Sequence, residues 1–167
     1  MLKGIIIKPL KKTNDERGSF AEIMREDWKD LLDDEHPVQA NLATSYPGIV
    51  RAWHRHAQGQ TDHFIVLKGA LKICAYEEKT KELDEVISTG QDLQIVKIPG
   101  NYWHGYKAIG NETVFLVYFT TKLYNYQSPD EERRPWNDIT VVAKTINGRK
   151  DDPRNGKPWD WNYIPNK

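Results

Sequence analysis

The stretch RAWHRHAQGQTDHF, residues 51 to 64, gathers His54, His56 and His63 around Asp62. Two kinds of chemistry suit such a set. Imidazole and carboxylate together are ligands for Fe, Mn, Ni, Cu or Zn. On a β-strand, residues i and i+2 share a face, so His54 and His56 can point inward together. Asp62 and the distant His104 would then complete a four-ligand metal site. The other chemistry is proton transfer at a carbon next to a ketone. It needs a base of near-neutral pKa, an acid on the opposite face, and a cation or donor for the enolate oxygen. His54 can be the base. Tyr118, which ends VFLVY, can be the acid, since a phenol donates a proton and takes one back. Arg51 can hold phosphate or the enolate. It lies three residues before His54, so on a strand it needs a bulge or turn to reach the same face. The plain alternative for His56 and His63 is that they are partly exposed polar residues on barrel strands.

These residues need elements to position them. Short apolar or alternating runs between turn signals predict strands at Ile5–Ile7 (stopped by Pro9), Phe20–Met24, Val38–Ser45, Ile49–Trp53, Phe64–Leu67, Ala70–Tyr76, Leu93–Ile98 and Val114–Thr120. Trp28, Leu31 and Leu32 have helical spacing and predict one short helix over 26 to 34. EEKTKELDE, residues 77 to 85, reads as a charged loop or hairpin tip. Closely spaced strands with one helix indicate an all-β sandwich or barrel, not βαβ units. After Tyr124 the chain turns polar and rich in Pro and Gly. Residues 139 to 167 are expected to be an irregular tail, whose Trp159, Trp161 and Tyr163 pack on the domain or on a second subunit.

The 167 residues suit one domain spanning the chain. The 24 basic and 24 acidic side chains cancel, so nothing global points to nucleic acid or an anionic membrane. The single cysteine, Cys74, excludes an intrachain disulfide and is expected to be a buried thiol. No signal-peptide core and no run near the roughly 18 apolar residues of a membrane span are visible, so a cytoplasmic setting is expected.

Five ordered blocks resemble the dTDP-4-dehydrorhamnose 3,5-epimerase family, cupin-fold enzymes acting on nucleotide-linked 4-keto-sugars. DERGSFAE, at 15 to 22, resembles DERGFF-x-E, and VQAN, at 38 to 41, resembles Q-x-N. GIVRAWH resembles GVLRGLH, PGNYWHGY resembles P-x-GFAHGF, and FLVYFTTKLY resembles FLYKTTDYY. The resemblance implies a cupin-type jelly-roll or double-stranded β-helix barrel. It implies His54 as base and Tyr118 as acid, with no metal and no cofactor. It also implies substrate contacts from Arg17, Phe20, Glu22, Gln39, Asn41, Arg51, His104 and a base-stacking Tyr124 or Tyr126. His56 and Asp62 join them as expected substrate contacts. It further implies a homodimer in which the N-terminal strand segment crosses to the partner.

The chain departs from the family pattern at three places. Asp62 stands where the family has a lysine near the developing oxyanion, and a bare carboxylate there would repel an enolate. Arg51, or a histidinium at His56 or His63, is expected to stabilise it instead. The family's His-orienting Asp, in S-x-K-D, is not matched by Asp138, Asp151, Asp152 or Asp160. His56 replaces a Gln or other polar residue. Paired histidines after an arginine also resemble the R-G-x-H-A-H segment of the 3,4-ketoisomerases, which act on dTDP-4-keto-hexoses. A metal-dependent cupin using His54, His56, Asp62 and His104, and a non-catalytic sugar- or nucleotide-binding cupin, complete the alternatives.

Overall fold

The computed structural model describes residues 1–165. Two sheets face each other. One has five strands: β1 (Ile6–Pro9), β9 (Gln94–Pro99), β6 (Thr61–Lys68), β11 (Val114–Thr120) and β4 (Gln39–Ser45), in that spatial order. The other has six: β12 (Glu131–Arg133), β5 (Val50–His56), β10 (Trp103–Ile109), β7 (Ala70–Glu77), β8 (Glu82–Thr89) and β13 (Thr145–Ile146). A separate hairpin pairs β2 (Lys12–Asp15) with β3 (Gly18–Ala21). This is the expected jelly-roll barrel with one short helix.

Alternation sorts the side chains into three layers. Phe64, Val66, Leu71, Ile73, Val96 and Leu116 fill the space between the sheets. The outer face of the five-stranded sheet, at Ile65 and Ile95, is covered by Leu31 and Leu32 of α1 (Lys29–Leu32). The outer face of the six-stranded sheet, at Trp53, Cys74, Tyr76 and Trp103, is covered by the tail through Val141, Ile146, Trp159 and Trp161. Burial on both faces explains why Phe64–Val66 and Ile73–Tyr76 read as continuous apolar runs; Leu67, at the end of the first, is exposed. The tail thus packs on its own chain; its last two residues, 166 and 167, lie outside the described part.

Several expectations need correcting. The helix is one turn, not 26 to 34, because Asp33 leaves the helical region (φ 55°) and Trp28 provides no side-chain cap. The charged loop at 77 to 85 is only a tip: Glu82 already pairs with Glu77, and β7 and β8 run together for eight residues. Exposed Glu and Lys hid that ladder in the sequence. Strand β1 continues through Pro9, which an edge strand tolerates because one side needs no donor. The strand expected at Phe20–Met24 is instead the exposed hairpin arm Gly18–Ala21. Strand β10, which carries His104, had no clear apolar pattern.

Candidate active site

The two sheets diverge at one end around a cavity of about 630 Å³. Strand β5 brings His54 and His56 to its wall, and β10 brings His104 beside them, with His104 paired to His54 across the ladder. The approach is close because position 105 is glycine: a Cβ there would sit 2.3 Å from the Ala52 Cβ. The same ladder answers the question about Arg51. His104 faces His54, but Tyr106, two residues on, faces Arg51, three residues back. This bulge puts Arg51 on the His54 side of β5. Arg51 and Tyr106 both line the cavity.

The five-stranded sheet supplies the facing wall. Asp62 and Phe64 come from β6, Tyr118 from β11, Gln39 and Asn41 from β4. His54 and Tyr118 therefore stand on opposed sheets. Gln39 donates to the Asn41 side chain at 2.8 Å, and its own oxygen accepts from the Tyr124 backbone N–H at 2.9 Å. Tyr124 lines the cavity mouth and meets the exposed Tyr126 edge-on, with ring centroids 5.0 Å apart.

Asp62 ties the two walls together. Its carboxylate lies 3.2 Å from His104 Nε2 and 3.6 Å from His56 Nε2. Each of these rings is fixed from behind by a backbone carbonyl. His104 Nδ1 donates to Tyr102 at 2.8 Å, and His56 Nδ1 donates to Asp130 at 3.1 Å. With Nδ1 protonated, a neutral ring would turn a bare Nε2 lone pair toward a carboxylate. A second ring proton or a bound cation removes that clash. Gln60 adds one hydrogen bond to Asp62 at 2.8 Å and lies 3.1 Å from His56 Nε2. Ligand atoms of His54, His56, Asp62 and His104 all lie within 4.8 Å of one another, so this donor set also fits a divalent cation.

Electrostatics separate the members. Burial, then the neighbouring His104, pushes the His54 imidazole well below its ordinary value, so it stays neutral with a lone pair open to a proton. Burial opposes protonation of His56, but Asp62 outweighs it and raises His56. Burial would likewise raise Asp62; hydrogen bonds from His104 and His56 win and hold it well below the carboxylate range. Burial, helped by Asp62, raises the Tyr118 phenol and keeps it protonated.

Not every expected residue is here. His63 alternates to the outer face of β6, is fully buried, and lies near Lys97 and Glu35, so it cannot reach an enolate in the cavity. His56 and His63 are not partly exposed, at 4 % and 0 %. Arg17, Phe20 and Glu22 lie on or just after the exposed hairpin, outside this chain's cavity; Arg17 pairs with Asp15 and Glu22 with Arg25. Among the late carboxylates, Asp152 is committed to Arg149 and Arg154 behind the six-stranded sheet. None of the four lines the cavity. Sequence reasoning missed Gln60, Tyr106, Glu131 and Arg133. Gln60 was findable, since Gln60, Asp62 and Phe64 alternate. The polar strand β12 carried no signal.

Residues 13–132 match the polysaccharide biosynthesis C-terminal domain family. The chain is 40% identical over 135 residues to the probable low-salt glycan biosynthesis epimerase Agl13 of Haloferax volcanii, covering 78% of this chain and 85% of that protein. It is 38% identical over 146 residues to the spore coat polysaccharide biosynthesis protein SpsL of Bacillus subtilis, covering 84% and 94%. The dTDP-6-deoxy-D-glucose-3,5-epimerase RmlC of Legionella pneumophila, solved with dTDP-4-keto-L-rhamnose, superposes with a TM-score of 0.74 and 25% identity, over 84% of this chain and 78% of that one. The chain belongs to the polysaccharide biosynthesis C-terminal domain family, among the cupin-fold sugar epimerases and isomerases.

Proposed function

We propose that the chain epimerises a dTDP-linked 4-keto-6-deoxyhexose at C3, C5 or both, on the way to a rhamnose-type sugar for a cell-surface polysaccharide. The observation that carries this reading is the placement of a neutral His54 and a protonated Tyr118 on opposed walls of one cavity. His54 takes the proton from the carbon beside the C4 ketone, and the C–H electron pair becomes the enolate. Tyr118 delivers a proton to the other face of that carbon, inverting it. Solvent then returns a proton to Tyr118 and removes one from His54. Arg51 offsets the enolate charge in place of the family lysine, and a protonated His56 neutralises Asp62 so that its carboxylate does not repel the enolate. Among the described residues His56 is held by hydrogen-bond partners and His54 has none, which favours one histidine base, and epimerisation, over a two-histidine 3,4-ketoisomerase.

Incubation with a dTDP-4-keto-6-deoxyhexose in D₂O tests the reading. Label is expected at C3, C5 or both; no label at either carbon overturns it. Tyr118→Phe is expected to stop inversion while washout persists. A 3-keto product seen by NMR would indicate the ketoisomerase instead.

A second reading is favoured by the paired Nε2 atoms aimed at Asp62. His54, His56, Asp62 and His104 would hold a divalent cation, which would supply Lewis-acid polarisation of the ketone. The chain's own residues would still orient the sugar through Arg51, Gln39 and Asn41. Metal analysis of protein purified without added metal separates the readings: below roughly a tenth of an equivalent, the metal reading fails.

The exposed hairpin bearing Arg17 and Phe20, with Leu42 and Phe115 exposed on the five-stranded sheet, supports a homodimer in which the hairpin serves the partner's cavity. Light scattering that gives a monomer at micromolar concentration would contradict it.

A further inference from the structure

Strand β12 lays two charged side chains against the cavity that the proposed proton transfer does not use. It pairs with the free edge of β5, setting Glu131 opposite His56 and Arg133 opposite His54. Directly paired residues project from the same face of a sheet, so both side chains lie over the histidine row. Glu132, opposite Arg55, projects outward and binds it at 2.7 Å. Glu131 and Arg133 both line the cavity.

The neighbouring arginines are committed elsewhere. Arg134 stacks on Trp103 at 4.0 Å and binds Glu78; Arg55 lies over the same ring at 4.6 Å. Arg133 has one ion-pair partner among the described residues, Glu131, two positions along its own strand. Its side chain is 75% exposed. An ion pair so open to water is weak and separates at little cost. A guanidinium at a cavity mouth, loosely held by one carboxylate, is suited to a bidentate hold on phosphate. Arg51 faces the same cavity, with the Thr44 carbonyl at 3.3 Å as its one partner among the described residues, so a second cation is available for a second phosphate charge.

We propose that Arg133 is a diphosphate ligand that selects nucleoside-diphosphate-linked substrates, and that Glu131 is its built-in competitor, holding the guanidinium until a diphosphate replaces it. The inference rests on the nucleotide-sugar reading above. It predicts opposite signs for the two partners. Glu131 removed, Arg133 is released toward phosphate; Arg133 removed, the diphosphate loses a fork of two hydrogen bonds.

Calorimetry with dTDP and with UDP, on the full chain, tests this alongside the D₂O washout assay. Arg133→Ala is expected to weaken nucleoside diphosphate binding about tenfold and raise KM alike, with kcat within about threefold. Glu131→Gln is expected to tighten binding about two- to fivefold, more at low salt. The double variant should match Arg133→Ala. Wild-type affinity in Arg133→Ala overturns the inference. So does weakening in both single variants, which would mark a pair that merely seats β12. If the wild-type protein binds neither nucleotide and gives no washout, the nucleotide-sugar reading falls and this inference with it. If the wild type binds and exchanges while Arg133→Ala is unchanged, this inference alone falls.

Discussion

Asp62 and His63 follow one another on β6 and are both withdrawn from water, at 2 % and 0 % exposure, yet they face different worlds. Asp62 points between the sheets, at His56 and His104, into a cavity. His63 points beneath α1, beside a closed polar cluster. There Lys97 binds Glu35 at 2.7 Å and the Leu31 carbonyl at 2.9 Å, and Thr61 donates to Glu35 at 2.5 Å. One residue of register decides which side chain lines the cavity and which packs beneath the helix. In the cavity wall the buried carboxylate faces two imidazoles; on the outer face the same kind of charge pairing anchors the helix and its loop.

The contrast can be broken from the cavity side first. His54→Ala should lower the washout rate by about 10²- to 10⁴-fold, the usual worth of a general base, with the fold intact by circular dichroism. Asp62→Asn removes the charge that raises His56 and should cost about tenfold or more in kcat/KM while chemical denaturation shifts only modestly. If its activity is unchanged, Asp62 has no part in the chemistry. On the outer face, Lys97→Met strands a partly buried Glu35 and should cost about 2–3 kcal/mol of stability by urea titration, with washout per folded molecule retained.

The pH profile sharpens the comparison further. A lowered His54 pKa means the base stays unprotonated to lower pH, so the acid limb of kcat/KM should fall below 6.5. The raised Tyr118 pKa places its loss above pH 10. An acid limb above 6.5 would exclude His54 as the base. The smallest effect belongs to His63→Leu. Among the described residues both ring nitrogens lack a hydrogen-bond partner, so an apolar replacement should leave washout within about twofold and stability equal or higher. A large activity loss would show that the two faces of β6 are coupled.

Much of this was legible in the sequence where local physics decides. Val114–Thr120 forms β11 over the very span read from its apolar run, because Val114 and Leu116 enter the core and Phe119 packs under the helix on the other face. His54, Arg51, Gln39, Asn41 and Tyr118 were placed together by ordered blocks and share one cavity. What was hidden depends on long-range pairing. The inward turn of Arg51 needed the bulge against β10, which no single strand announces. His63 and Asp62 are both reasonable ligands by type, and only the sheet fixes which faces inward. Strand β12 is three charged residues, made a strand by the free edge of β5. The hairpin with Arg17 and Phe20 is separate from this chain's cavity.

The tail over the six-stranded sheet sets an order in time. Its strand β13 lies parallel to β8, with Thr145 against Glu82, and Trp161 packs 4.9 Å from Trp53. That seat is made of β5, β7, β8 and β10, so it exists only once those strands have paired. Docking of the tail is therefore expected to be a late event, closing a long loop. Until then Trp53 and Tyr76 face water on an open apolar sheet, the interval in which chains are most prone to stick to one another. Stopped-flow refolding should show tryptophan fluorescence settling after the β-sheet circular dichroism signal, and the lag between them is the lifetime of that bare face.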